Sequence, residues 1–340
     1  MLDGEDNLRS RVHTKGKMER AKPRKVKTMR NSGAIFTTAA VLIASFMGFL
    51  IQGCKGEGAA NREWGAAHNL GPGINSAAKD EHATFTPDGK TMIFASTREG
   101  GFGAYDLYIS RFENGGWSTA ELLPPPINTG KDEFDPFITP NGGKLFFSSN
   151  RDNSGSYWDC DIYICLRNGD QWEEPMLYDP VFVTPDKPDW GVTIPESFST
   201  FIFSSGRGLD KAHSVQIFRS TRLGDKWSEP APLPYPVNAG KWEATPYITP
   251  DGKTLFLNSV RGEPDKKDVD IWRFRFKGGK WTDPRRMEGP FLSDHHDYDP
   301  CLSPDGRKFY FTSDREGGLG GPDIYVAEKI RKKSSTPRLS

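Results

Sequence analysis

An all-β fold of five repeated, four-stranded units is predicted by three markers that keep one step along the chain. Trp64, Trp117, Trp172, Trp227 and Trp281 are separated by 53, 55, 55 and 54 residues. A Ser-x-Arg triplet recurs at Ser96/Arg98, Ser149/Arg151, Ser205/Arg207, Ser259/Arg261 and Ser313/Arg315. A short aromatic strand follows each triplet, opening at Asp106, Asp161, Gln216, Asp270 and Asp323. A period of this length marks copies of one unit that cannot bury its own apolar face. Four short strands at that period give a β-propeller, in which radial repetition protects the sheet edges. Five of each marker give five antiparallel blades.

The second repeat shows the unit in order. Glu133–Thr139 reads as a first strand, and Pro140-Asn141-Gly142 turns the chain into a second at Lys144–Ser149. A loop leads to the third strand, Asp161–Leu166; Asn168-Gly169-Asp170 turns it back, and Trp172 opens the outer strand. Such Pro/Asn/Gly turns suit antiparallel neighbours. Pro87-Asp88-Gly89, Pro250-Asp251-Gly252 and Pro304-Asp305-Gly306 recur at the matching place, while the third repeat has Pro195-Glu196-Ser197. The last repeat stops at Glu328 without a Trp strand, and Trp64 precedes any strand it would belong to. The N-terminal strand carrying Trp64 is therefore expected to complete the last blade and close the ring, which hides an open sheet edge. The propeller is expected over residues 63–328.

The front end has a different character. Basic residues from Arg20 to Arg30 precede an apolar run from Ala34 to Ile51, and Gly53-Cys54 closes it. A positive lead, an apolar stretch and a small residue before the cut are the parts of an export signal. This one resembles a bacterial lipoprotein signal over residues 1–53, which implies lipid modification of Cys54 and a short linker at 54–62. Ile51 and Gln52 depart from that family's usual residues. An uncleaved single-pass anchor is the alternative, since about 18–20 apolar residues span a bilayer. Met1, Met18 and Met29 are all open as starts. Lys55 after the cysteine, by the same resemblance, favours the outer membrane facing the periplasm.

Charge narrows the partners. Ten of the 45 Lys/Arg and four of the 45 Asp/Glu lie in residues 1–53, so the rest carries about −6. A mildly acidic body lacks the basic footprint that nucleic acid needs. The basic tail at 329–340 is expected to be disordered. Cys160 and Cys165, five apart on one strand, point to opposite faces and are not expected to bridge; no Cys-x-x-Cys metal spacing occurs.

The repeated Pro-Asp-Gly-Lys, Ser-x-Arg and Asp-Ile-Tyr elements resemble the WD-like propeller repeat of bacterial periplasmic proteins, with TolB-type and OmpA-linked propeller domains among its members. Gly100–Gly103 and the Ile74-Asn75 and Ile127-Asn128 pairs resemble the OmpA-linked group most. The likeness spans residues 64–328. It implies an envelope protein, and the partner functions that peptidoglycan-binding domains supply in relatives are not carried over.

Most motifs read as scaffold. The five Ser-x-Arg arginines are expected to pair with the aspartate opening the third strand, and where Gln216 replaces it, Arg207 needs a neutral acceptor or Asp210. The glycine-rich loops at Gly100–Gly103 and Gly317–Gly321 open no helix after a strand, so they read as turns with positive φ rather than phosphate cradles. His295 and His296 diverge on a strand, so no metal site is expected.

The first strand of each blade should line the central channel. Aligning the repeats on Pro87, Pro140, Pro195, Pro250 and Pro304 puts His82, Asp135, Trp190, Thr245 and Asp299 in register. Asp80, Glu133, Pro188, Glu243 and Asp297 stand two residues earlier, on the same strand face if the strands are regular. His82, Glu133, Asp135, Trp190, Glu243, Thr245, Asp297 and Asp299 are thus the candidate ligand-binding residues at the channel mouth. Trp158 and Trp190 also read as exposed binding surface. The expected function is a lipid-anchored, non-catalytic module in the cell envelope that binds a protein, peptide or glycan, with no cofactor and no nucleic acid. A carbohydrate-active enzyme using Asp135, Glu243 or Asp299, with His82 assisting, is the alternative. A ring without any ligand is the third reading.

Overall fold

The computed structural model of the protein describes residues 62–152, 156, 158–209, 214–240, 242–261 and 268–332. Every described residue falls in one compact unit, Gly58–Ser340. The expected leader, Cys54 and Asp210 lie outside the described residues. Among the described residues, no helix is long and apolar enough to cross a membrane.

The chain opens with β1 (Arg62–Asn69). The first blade is β2 (Asp80–Phe85), β3 (Thr91–Ser96) and β4 (Asp106–Glu113), edged by the short pieces β5 (Gly116–Trp117) and β6 (Glu121–Leu122). The second is β7 (Glu133–Ile138), β8 (Lys144–Ser149) and β9 (Asp161–Asn168), with β10 (Gln171–Trp172) and β11 (Met176–Leu177). The third is β12 (Asp189–Thr193), β13 (Thr200–Ser205) and β14 (Gln216–Leu223), with β15 (Lys226–Trp227) and β16 (Ala231–Pro232). The fourth is β17 (Glu243–Ile248), β18 (Thr254–Ser259), β19 (Asp270–Lys277) and one unbroken outer strand, β20 (Lys280–Arg286). The fifth is β21 (Asp297–Leu302), β22 (Lys308–Ser313) and β23 (Asp323–Arg331), closed by β1. This is the expected five-bladed propeller, and each repeating Trp sits on an outer strand.

Closure is built from several contacts. Trp64 pairs with Lys329, Ala67 with Ala327 and Asn69 with Tyr325. The last strand runs to Arg331, so Lys329, Ile330 and Arg331 pair with β1 instead of starting the tail at 329. The Trp64 ring meets Phe291 at 5.4 Å and Phe309 at 5.8 Å, edge to face. Asn75 clips the same blade: its Oδ1 accepts from Ile324 N at 2.9 Å and its Nδ2 donates to Ile324 O at 3.0 Å. Asn128 holds Leu107, and Asn238 holds Ile217, in the same two-bond way. The asparagine, after Ile in two of these linkers and after Val237 in the third, is therefore a clip between a linker and the third strand of the blade before it.

The Ser-x-Arg arginines do not pair with the third-strand aspartate. They reach instead to the acid that opens the first strand. Arg151 Nη2 lies 3.1 Å from Glu133 Oε1, Arg207 Nη2 3.1 Å from Asp189 Oδ1 and Arg261 Nη2 3.0 Å from Glu243 Oε1; Arg98 binds Asp80, and Arg315 binds Asp297. Each guanidinium also donates to its own serine and rests on the third-strand aromatic, as Arg98 does over Tyr108 at 4.7 Å and Arg151 over Tyr163 at 4.8 Å. Asp106 and Asp323 are taken up by loop amides: Asp106 accepts from Phe102 and Gly103, Asp323 from Leu319. That arrangement needs glycine, because a Cβ on Gly103 would stand 1.6 Å from Lys131 O. Arg207 finds its acid in Asp189 even though Gln216 opens its third strand.

Candidate functional site

Each first strand carries the same irregularity. The register between β2 and β3 slips between Glu81 and Thr84, and the equivalent slip occurs in every other blade. The slip is a β-bulge, and its first residue takes a left-handed backbone: His82 (φ 59°), Asp135 (50°), Gly191 (61°), Thr245 (42°) and Asp299 (52°). Proline follows at Pro136, Pro246 and Pro300; it has no N–H to donate to the ladder and belongs at such bulges. Left-handed backbone is uncommon for any side chain and strained for a β-branched one such as Thr245. Strain repeated around one axis marks the place where the structure is committed to a particular geometry.

The bulge decides which predicted residues meet. His82, Asp135, Thr245 and Asp299 converge on the axis. Glu133, Glu243 and Asp297 do not join them: the bulge breaks the two-residue alternation, and all three carboxylates are buried against the arginines described above. They are scaffold. Trp190 stands one residue out of register. Asp189 pairs with Ser205 as Asp80 does with Ser96, so the ring position in the third blade belongs to Gly191. The Pro195-Glu196-Ser197 turn misled the alignment, because Phe198, with φ 50°, takes the left-handed place that glycine holds in the other turns.

At the axis, His82 Nε2 lies 2.6 Å from Asp135 Oδ1 and 3.0 Å from Asp299 Oδ1. Burial opposes protonation of the imidazole, but the two carboxylates outweigh it and hold its pKa well above 6.5. Burial raises the Asp135 carboxyl, which His82 partly offsets. Asn258 donates to Asp299 Oδ1 at 3.2 Å and accepts from Asp299 N at 2.9 Å. Thr245 N donates to Ser204 Oγ, and His82 N to Thr312 Oγ1, so these bulges, like the one at Asp299, are fastened to the preceding blade, across the chain's junction included. Among the described residues, no group of three or more His, Cys, Asp or Glu side chains is spaced to hold a metal ion. His296 Nδ1 accepts from Val269 N at 2.9 Å, which is a structural bond.

Three spaces follow one another along the axis. A mouth of about 500 Å³ is lined by Tyr105, Trp158, Trp190, Trp242 and Tyr298, with Lys79, Glu81 and Asp132 among them. It narrows at the ring to about 50 Å³ and reopens into an apolar vestibule of about 220 Å³ edged by Pro87, Pro140, Pro250 and Pro304. Trp190 is 2% exposed, so it forms a wall of the mouth and not an exposed surface; the partly buried Trp158 packs on it at 5.5 Å.

Sequence reasoning missed Glu81, Tyr105 and Tyr298. Glu81 Oε2 accepts from the Tyr105 hydroxyl at 2.8 Å, and Oε1 from the Tyr298 hydroxyl at 2.6 Å. Burial raises the Glu81 carboxyl above its ordinary range, against the pull of His82. The signal that would have found it is the proline inside a strand pattern: Pro136, Pro246 and Pro300 announce bulges, and a bulge turns the residue before the ring position toward the mouth.

No protein-family model and no curated protein matches the chain. Solved structures resemble it in fold. TolB from Acinetobacter baumannii matches 75% of this chain at 18% identity and a TM-score of 0.46, and the chain spans 55% of that protein. A GH43 endo-arabinanase from Bacillus licheniformis matches 76% of this chain and 97% of its own at 12% identity and a TM-score of 0.48. The catalytic domain of an α-L-arabinofuranosidase from Coprinopsis cinerea matches 79% and 98% at 13% identity and 0.48. At this distance none of them carries an activity, a ligand or a location over to this chain.

Proposed function

We propose that the protein is a non-catalytic binding module, anchored in the bacterial envelope through lipid on Cys54, whose aromatic mouth receives a glycan or peptide. The observation that carries the reading is the mouth itself: five aromatic side chains around a space of about 500 Å³, set above a cluster in which His82 bridges two carboxylates. Aromatic faces suit sugar rings and side chains alike, and a pocket of this size falls in the range of small-ligand sites. The Gly53-Cys54 end of the leader and its basic, apolar lead support the anchor.

The glycosidase alternative finds little room at the axis. Two catalytic carboxylates must flank a sugar, at about 5–5.5 Å or about 6.5–9.5 Å. Asp135 and Asp299 instead flank one imidazole nitrogen, and Glu243 is buried against Arg261. Glu81 has the raised carboxyl of a general acid, but both its oxygens are held by tyrosine hydroxyls.

Titration of the full chain with envelope glycan fragments and peptides, followed by tryptophan fluorescence and calorimetry, tests the proposal. Saturable binding weakened at least tenfold by Trp158→Ala, with no product released, is expected. Turnover of a chromogenic glycoside lost in Glu81→Gln, or binding unchanged in Trp158→Ala, would contradict it.

A further inference from the structure

The outer hairpin of the fourth blade breaks the pattern of the others. In the first two blades the outer arginines each meet their own carboxylate: Arg111 with Glu121 at 3.0 Å and Arg167 with Asp170 at 3.8 Å. In the fourth, β19 and β20 place like charges directly opposite one another. Arg273 faces Arg285, and Lys277 faces Lys280. Such pairs are destabilising in an antiparallel sheet. One carboxylate serves the group. Asp283 lies 3.0 Å from Arg285 Nε, 3.6 Å from Arg273 Nη2 and 3.9 Å from Arg275 Nε. It reaches all three because it sits in a bulge with φ 57° that turns it back over the hairpin.

The sharing is incomplete. Arg273 Nε is buried with no hydrogen-bond partner. Partial burial, and Arg275 beside it, lower the Arg273 pKa. Arg275 and Arg285 are half to two-thirds exposed, so their remaining donors face solvent. The strand pair holds six cations and two anions; Arg286 pairs with Asp270 at 3.4 Å, which leaves five cations with Asp283 in a body that is otherwise acidic.

We infer that this hairpin is a binding site for a phosphate-bearing anion, with Arg273, Arg275 and Arg285 donating to its oxygens and Lys277 and Lys280 adding charge. Guanidinium forks match the geometry of phosphate oxygens, and several converging on one group give both affinity and orientation. Binding would also relieve the cross-strand repulsion, so the cost borne by the free hairpin is offset when the anion is present. The site lies on the outer edge of the ring and is independent of the mouth.

The test uses thermal unfolding of the full chain with pyrophosphate, against sodium chloride at equal ionic strength. A ligand that binds only the folded state raises Tm in proportion to its occupancy. Pyrophosphate is expected to raise Tm in the wild type and in Trp158→Ala alike. In Arg285→Gln, and separately in Arg275→Gln, its apparent affinity should fall at least tenfold. Without ligand, Arg285→Gln should melt at the same temperature as the wild type or higher, which an arginine serving only the fold would not allow. Sedimentation with phosphatidylglycerol or phosphatidylcholine vesicles separates the sources. Capture by the former, lost in Arg285→Gln and competed by pyrophosphate, assigns a lipid headgroup; a Tm response without capture assigns a free phosphate. A rise no larger than that given by chloride, or an equal rise in both variants, would overturn the inference.

Discussion

His82 Nε2 sits 2.6 Å from Asp135 Oδ1, the shorter of the two ion contacts it makes at the propeller axis. The two residues come from adjacent blades, so the contact ties the ring across its centre. A buried cation between two buried carboxylates satisfies charges that would each be expensive alone.

Removing the cation should therefore be costly. His82→Ala is expected to lose about 3–5 kcal/mol, the usual penalty for a buried charge left without its partner. The loss should shrink on acidification, because carboxylates this close take up a proton when no cation separates them. The wild type adds a dependence of its own: a histidine whose folded pKa is raised contributes stability that is fully present below 6.5 and is lost as pH climbs through the folded value. Urea unfolding of both proteins between pH 5 and pH 6.5, where that contribution is constant, checks the carboxylate effect. A variant deficit that grows toward acid pH within that window would contradict it.

The arginine clips predict a coupled pair. Arg151→Met leaves Glu133 buried beside Thr129 and Ser149 without its guanidinium. About 3–5 kcal/mol should be lost. Arg151→Met combined with Glu133→Gln should cost less than the two single losses summed, by at least about 1 kcal/mol, as contacting partners do. Chemical denaturation of the four proteins gives the coupling directly, and strict additivity would refute the pairing.

Closure predicts where unfolding begins. Asn75→Ala removes both bonds to the buried Ile324 backbone and should destabilise by about 1–3 kcal/mol. Amide exchange should accelerate first in β1 and β23, before β8 or β13. Uniform acceleration across all blades would show that the clip is not local.

Much of this architecture was legible because the scaffold is written five times. Any one Trp or Ser-x-Arg triplet is ambiguous, but five at one step fix the blade count, and the unpaired Trp64 fixes the closure. The site was less legible, since it depends on how strands depart from regularity. Period-two reasoning placed Glu133 with Asp135 on one face, and the bulge at Asp135-Pro136 separates them. Gly191 was passed over for Trp190 because Phe198 occupies a turn position that glycine usually marks. The arginine hairpin was hidden for a related reason: Arg273 meets Arg285 only because Asp283 and Pro284 are looped out of register.

The most direct test of an axis held by a buried His82 cation is the protonation state of that residue. Nitrogen-15 NMR of the imidazole, with His82→Gln for assignment, reads it without perturbing the ring. A doubly protonated imidazolium persisting well above pH 6.5 is the predicted result. A neutral ring at pH 7 would contradict the account, since Asp135 and Asp299 would then lack the charge that binds them to the axis.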